Sequence, residues 1–578
     1  MSRIQREHIY LTLIILIIFC IFEYGIQKIF GFTVYPDEFG YWSSAAKTAG
    51  YDWHEVASLG SYYSFGYSVL LIPLLWLFRD GVAAYRAAVA VNMALMCFGV
   101  LLLRNIICRL FPEMDKIKRV FISGIAVLYP SWVFYMQVTL AEALLTFLFL
   151  GLTFLFICFI QKPGILTAAV LAVSLVYSYS VHMRTVGVVI ACLAALALWG
   201  VVNPAMRKQM LILFGVILAA GLVVAVIKRN VILSVFSKAD AQTLAANDYG
   251  SQMWKVRDIL TSDGMLVFLK EILAKFFYLG MATYGFFYWA MIWCVQKAAG
   301  LFKKIVQKQS VFFDVQSWIA LFLLLAVIGE ILICSIYMHG STHIDCLIYG
   351  RYNEFLVPVL IVTGITAMLK SRRIFRTNLL LGALSGLMIF PILSVIRQEN
   401  MEGIRGYFVA GISCLIDEAN FEPLDFFLKA WIFGFILMLL TAGIFLIIKK
   451  WKNMEWLLAI ILIIEVFLGI QVSAHYIYKV NQIEYKDLII AEKILESNDG
   501  SETVTYLDEG SAPFVDFQQM QLGEIPIHVI RGEVSEHMDG LGDYLIVRSD
   551  SGQKEVLEQI YNEKIVAKLH VLYFNRKE

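Results

Sequence analysis

The sequence predicts a polytopic α-helical membrane protein that carries a small α/β domain at its C-terminal end. Three observations predict it. Of 578 residues, 60% are hydrophobic and only 16% are charged, at a mean hydropathy of +0.72; a soluble chain has no interior large enough to hide so much apolar surface. Apolar runs of roughly 18–25 residues, the length that crosses a hydrocarbon core, recur along most of the chain. From about Tyr485 the composition turns polar and mixed, as a water-exposed fold requires.

Windows of that length predict about thirteen spans, at 9–30, 83–108, 119–137, 139–160, 164–181, 185–202, 210–227, 271–296, 315–338, 351–369, 377–396, 426–448 and 454–474. The first, Ile9–Phe30, lacks a small-residue cleavage site and reads as a retained signal anchor. With Arg3 and Arg6 cytoplasmic, the short basic segments around Arg109–Arg119, Arg207–Lys208, Lys297–Lys308, Lys370–Arg376 and Lys449–Lys452 all fall on the cytoplasmic side. Facing outward are the 31–82 loop, the 228–270 loop, the short loop 339–350 and the tail. The 228–270 loop is basic too, but it is long, and long loops obey the rule poorly. The chain thus divides into a membrane domain over 1–480 and an extracytoplasmic domain over 481–578. In the latter, strand-like runs at Thr503–Leu507, Ile525–Ile530, Tyr544–Arg548 and Lys568–Phe574 alternate with helices at 486–497 and near 553–563. The nine cysteines lie mostly inside apolar runs and show no metal-site spacing. Only Cys346 and Cys414 fall near outer loops, where they either pair or stay free.

The first outward loop opens with "YPDEFGYW" (Tyr35–Trp42). Asp37 is an acceptable N-cap after Pro36 for a helix over 37–50. Ser61–Phe78 is aromatic at its start, apolar afterwards and interrupted by Pro73, so it lies along the membrane surface rather than across it. Two adjacent carboxylates are therefore held where headgroups meet water. Either they cap an interfacial helix, or they do chemistry there.

"YPDEFGYWSSA" followed by "SFGYSVLLIPLLWLF" resembles the first external loop of the GT-C membrane glycosyltransferases. The similarity is to the branch of protein O-mannosyltransferases and lipid A aminoarabinose transferases. "YPSWVFYMQVTLAEALL" (Tyr129–Leu145), with Glu142, is similar to the third and fourth spans of that group. "IYGRYNEFLVPVL" (Ile348–Leu360) resembles its Arg-Tyr element, which faces donor phosphate. The resemblance runs weakly over residues 1–370. It implies a GT-C-like fold, a polyprenyl-phosphate sugar donor and an Asp-Glu pair at the reaction centre. The WWD-type element of oligosaccharyltransferases and the sugar-binding repeats of eukaryotic mannosyltransferases are absent from the sequence, and the tail lies outside the resemblance.

The chemistry agrees with this. Nucleotide sugars are made in the cytosol, so outward-facing carboxylates need a donor delivered within the membrane. Expelling a phosphate requires no general acid, only a base for the acceptor hydroxyl. Asp37 is the expected base, and Glu38 either orients it or holds substrate hydroxyls. Arg351, with Tyr352 as hydroxyl donor, and then Arg184 are the candidates for donor phosphate; each is otherwise a snorkelling anchor. Lys255 and Arg257 either line the donor entrance or are merely solvated. Glu142, His339, His343, Tyr63 and Tyr67 are candidate cavity residues, though Tyr62, Tyr63 and Tyr67 also fit an interfacial aromatic belt. A divalent metal held by His339, His343 and Asp345 with Asp37 is the weaker alternative. The predicted activity is inverting transfer of a sugar from a polyprenyl-phosphate donor to a hydroxyl on a protein, lipid or cell-wall acceptor, with no nucleic-acid partner. The alternative is a transporter or flippase of lipid-linked sugars. Lacking eukaryotic accessory domains, the sequence favours a bacterial plasma membrane.

Overall fold

Nine helices among the described residues are long and apolar enough to cross a membrane: Gln5–Ile26, Gly81–Leu110, Ala141–Gln161, Met183–Val202, Pro204–Val235, Val315–Met338, Ile374–Gln398, Pro423–Lys450 and Glu455–Ser497. The computed structural model describes residues 3–239, 241, 244, 250–451, 453–497, 502–510 and 515–575; part of the expected 228–270 loop lies outside them. The other four expected crossings fall on shorter or interrupted helices, so helix length does not reproduce the count of thirteen. The 119–137 run is divided into Lys116–Val127 and Pro130–Tyr135, because Pro130 has no N–H with which to continue the first helix and instead begins the second. The 271–296 run is shared between Ser262–Ala282 and Phe286–Val306. They part where Tyr284 and Gly285 take left-handed backbone (φ 53° and 82°), which glycine adopts without penalty. The 164–181 run makes the 17-residue helix Ile165–Val181. The 351–369 run begins as a turn and becomes helical only over Val357–Lys370.

After α1 (Arg3–Ile26) the first loop folds into α2 (Asp37–Ala49), α3 (His54–Ala57) and α4 (Ser68–Leu77), followed by α5 (Gly81–Leu110). Near the end of α4, Trp76 and Leu77 are 65% and 73% exposed, as suits an apolar helix against lipid. Asp37 is not the N-cap that the sequence suggested. Helix α2 starts on Asp37 itself, Pro36 occupies the cap position with no side-chain cap, and the Asp37 carboxylate is free for other partners. Cys346 is buried, Cys414 is exposed and both are free thiols, so no disulfide joins them.

The last span runs on out of the membrane. Leu458–Ser473 passes through a π-helical stretch, Ala474–Tyr478, into Lys479–Glu484 and then Leu488–Ser497. Beyond it lies a five-stranded sheet of order β2-β1-β3-β5-β4, with β1 (Val504–Asp508), β2 (Ile527–Arg531), β3 (Tyr544–Arg548), β4 (Glu563–Val566) and β5 (His570–Phe574). The first three strands are parallel; β5 and β4 are antiparallel additions. One face of the sheet (Tyr506, Ile546, Leu572) joins the core of the membrane helices, while the other (Leu507, Leu545, Val547) forms its own small core with Leu557. Strand β4 and the helix Val515–Leu522 were not expected. The first is a short polar edge, and the second has little amphipathic pattern to reveal it.

Candidate active site

The site is assembled where α2 meets the turn before Val357–Lys370. Asp37, in the first turn of α2, accepts a hydrogen bond from the Arg351 guanidinium (Nη2 to Oδ2, 2.5 Å). Arg351 Nε donates to Glu142 Oε1 (2.6 Å), and the same oxygen accepts from Arg184 Nη2 (3.0 Å). The result is an alternating row, Asp37–Arg351–Glu142–Arg184, in which every charge has an opposite neighbour. Such neutralisation is what allows four ionised groups to remain at a largely buried site. The guanidiniums are also packed on aromatic faces, Arg351 on Tyr35 (4.8 Å) and Arg184 on Tyr352 (4.6 Å). Glu354, three residues beyond Arg351, holds this turn in place: its carboxylate accepts from Ser131 (2.6 Å), Tyr135 (3.0 Å) and Tyr278.

Above the row opens a cavity of about 350 Å³, lined by Asp37, Tyr63, His182, Arg184, Arg351, Tyr352, Arg405 and Tyr407 among others. Tyr63 reaches Asp37 because Gly40 lies beneath its ring; a Cβ there would come within 2.2 Å of it. Burial and the neighbouring Asp37 charge push the Tyr63 hydroxyl pKa up, so it stays a proton donor.

Glu38 points the other way. It is wholly buried; Oε1 accepts from Thr33 N and Oγ1, and Oε2 accepts from Tyr85 Oη (2.5 Å), Thr139 N and Thr139 Oγ1. Five donors saturate it, so it holds no substrate hydroxyl, and its remaining expected role is to fix the start of α2. Glu142 lies behind the cavity wall rather than in it. Tyr67 is withdrawn from the cavity, its hydroxyl donating to Asn92 Oδ1 (3.1 Å). His339 does not reach the cavity either: Nε2 pairs with Asp258 (2.9 Å) and Nδ1 with Glu271 (3.1 Å). His343, Lys255 and Arg257 are likewise not lining residues. The metal alternative fits poorly. Asp345 is bound to Arg405 (2.9 Å), Asp37 to Arg351, and no group of three or more candidate ligands gathers among the described residues.

Sequence reasoning missed His182, Arg405, Tyr407 and Phe408. The last three stand in the segment between Ile374–Gln398 and Pro423–Lys450, which was not counted among the outward loops. An arginine followed by two aromatics there, "RGYF", was the available signal.

No protein-family model matches the sequence and no curated protein matches it, so the comparison is structural. ArnT of Cupriavidus metallidurans bound to undecaprenyl phosphate superposes with a TM-score of 0.53, at 12% identity over 97% of each chain. Its apo form gives 0.52 at 13% identity over the same shares. The chain has the GT-C fold. An archaeal oligosaccharyltransferase, AglB of Archaeoglobus fulgidus, is more distant: TM-score 0.45, 12% identity, 94% of this chain and 69% of that one. Within this GT-C fold, Asp37 and its partner Arg351 are brought together across 314 positions of sequence.

Proposed function

We propose that this protein is an inverting glycosyltransferase moving a sugar from a polyprenyl-phosphate donor to an acceptor hydroxyl at the outer face of the membrane. One observation carries the reading: an accessible carboxylate, Asp37, and two arginines, Arg351 and Arg184, share one cavity at the end of the bundle formed by the first loop. Asp37 takes the proton of the acceptor hydroxyl as its oxygen attacks the anomeric carbon. The carbon–oxygen bond to phosphate breaks, its electron pair stays on the phosphate, and the arginines neutralise the charge that develops there. Attack opposite the leaving group inverts the anomeric carbon. Tyr63 and Tyr352 supply hydroxyl donors to sugar or phosphate.

A lipid-linked donor is supported by the cavity's flank. Tyr62, Ser64 and Met183 also line a narrow lateral cleft with Phe65, Tyr179, Val224 and Lys228. Val224 and Lys228 belong to the helix Arg207–Val235, whose Leu218 and Leu222 are exposed as lipid-facing residues are. The acceptor class is a hydroxyl on protein, lipid or cell-wall polymer.

The test is sugar transfer and donor hydrolysis by purified wild type and Asp37→Asn protein across a panel of synthetic polyprenyl-phosphate sugars. Turnover of at least one donor by wild type, and its loss in a variant that still binds lipid phosphate, is expected. An inert wild type, or a variant equal to it, overturns the assignment and makes transport of lipid-linked sugars the activity to assay.

A further inference from the structure

The linker between α1 and α2, residues 27–36, decides where Asp37 stands, yet it has almost no regular structure of its own. Arg86 donates to Ile29 O (2.8 Å) and Tyr35 to Tyr407 O (2.6 Å), and the anchors between them come from the other end of the chain. Asn481 is completely buried, and its Oδ1 accepts from the backbone N–H groups of Phe30 (2.6 Å) and Gly31 (2.9 Å), while its Nδ2 donates to Ile477 O (3.2 Å). Gly31 is pressed against Phe517 in the helix Val515–Leu522; a Cβ on Gly31 would come within 2.6 Å of that ring. Two residues further on, Thr33 donates to Glu38 through both N–H (2.9 Å) and hydroxyl (2.6 Å). The chain of contacts from tail to Asp37 is therefore Asn481 and Phe517, Gly31, Thr33, Glu38.

A second grip holds the far side of α2. Trp53 Nε1 donates to Gly523 O (2.7 Å), just past the same helix, and the Trp53 ring stacks on Phe39 at 5.6 Å and 9°. In α3, Glu55 accepts from Val529 N of β2 (2.7 Å) and pairs with Lys238 (2.7 Å). The tail thus meets the loop through directed hydrogen bonds to buried and part-buried backbone, which are costly to leave unmade.

We infer that the C-terminal α/β unit is a positioning element for the reaction: through Asn481 and Phe517 it fixes the 29–36 segment, and with it the base Asp37. This rests on the proposed function for its kinetic readout, but not for its structural one.

The experiment combines hydrogen–deuterium exchange over residues 29–38 with transfer kinetics on full-length Gly31→Ala, Asn481→Ala, Asn481→Asp and Gly31→Ala/Phe517→Leu proteins. Gly31→Ala and Asn481→Ala should speed exchange in this segment and lower kcat roughly 10²-fold, the effect of misplacing a reacting group by about 1 Å. Polyprenyl phosphate affinity should not fall, because Arg351 and Arg184 lie on other elements and a displaced Asp37 competes less well for Arg351. Asn481→Asp keeps the two acceptor contacts but turns a carboxylate oxygen onto Ile477 O, so it should fall between wild type and Asn481→Ala, whereas Gly31→Ala/Phe517→Leu, which removes the ring edge, should recover both readouts. Unaltered exchange in Gly31→Ala and Asn481→Ala, or a double variant no better than Gly31→Ala, overturns the inference. If wild type transfers from no donor, the functional reading falls, and exchange alone decides whether the tail holds the loop.

Discussion

Replacing Asp37 with Asn should make the protein bind polyprenyl phosphate more tightly while abolishing turnover. The Asp37 carboxylate holds Arg351 at 2.5 Å, with the two side chains only 15% and 4% exposed. A phosphate reaching Arg351 must displace that carboxylate or share the guanidinium with it. Asparagine keeps the shape and loses the charge. The amide oxygen still accepts from a cation, so what is lost is the ion pair's Coulomb term, on the order of 1–2 kcal/mol for a largely buried pair near the protein surface. The competitor is thus weakened by about 1–2 kcal/mol, or roughly 5–30-fold in affinity. Titration of a short-chain polyprenyl phosphate into detergent-purified wild type and variant, followed calorimetrically, measures it. An Asp37→Asn protein that binds equally or more weakly would mean that Arg351 is not where the phosphate goes, and the assignment of its role would be wrong.

Glu38→Gln should destabilise the fold by about 2–4 kcal/mol, because an amide N–H₂ replaces an acceptor that faces only donors; a thermal melt in detergent reads this. His339 is pulled two ways: burial lowers its pKa, but hydrogen bonds to Glu271 and Asp258 more than offset this and hold it above its ordinary 6.5. Its stabilisation is fully present below about pH 6.5 and is lost as pH rises through the folded-state value. His339→Gln should accordingly lower the melting temperature more at about pH 6 than at about pH 9. At the start of the helix Val515–Leu522, burial pushes the Asp516 carboxyl up to about 7, opposed by the Phe517 N–H and reinforced by the Glu38 charge. The folded state then keeps a proton that the unfolded state releases near 3.8, so stability falls as pH rises between the two values. Asp516→Asn should raise the melting temperature at about pH 8 and change it little near pH 4.

The spans were legible because each needs about 20 consecutive apolar residues, a signal that hardly depends on tertiary context. The breaks at Tyr129–Pro130 and Tyr284–Gly285 were not, because they lie inside such runs, where hydropathy does not change. In the site, Asp37, Arg351, Arg184, Tyr63 and Tyr352 stood out as ionisable or hydroxyl-bearing residues in or beside the loops expected to face outward, and all five line the cavity. The position of Glu38 was invisible, since its partners Tyr85 and Thr139 stand 47 and 101 residues away. Arg405 was missed because its segment reads as an ordinary connection. Only the fold shows that Asp345 aims it at the cavity.

The alternating row of charges bears on how a substrate is found. Asp37, Arg351, Glu142 and Arg184 cancel one another, and Arg405 is cancelled by Asp345, so the open cavity projects little net field into the water outside. It has small means of collecting dissolved anions from a distance. Inorganic phosphate and free sugar phosphates, however abundant, should therefore compete poorly for the proposed donor site. The proposed donor, tethered to an isoprenoid, would diffuse in the plane of the membrane and meet the arginines at high local concentration. Under the proposed function, selectivity for lipid-borne over soluble phosphate would then arise from the dimensionality of the search.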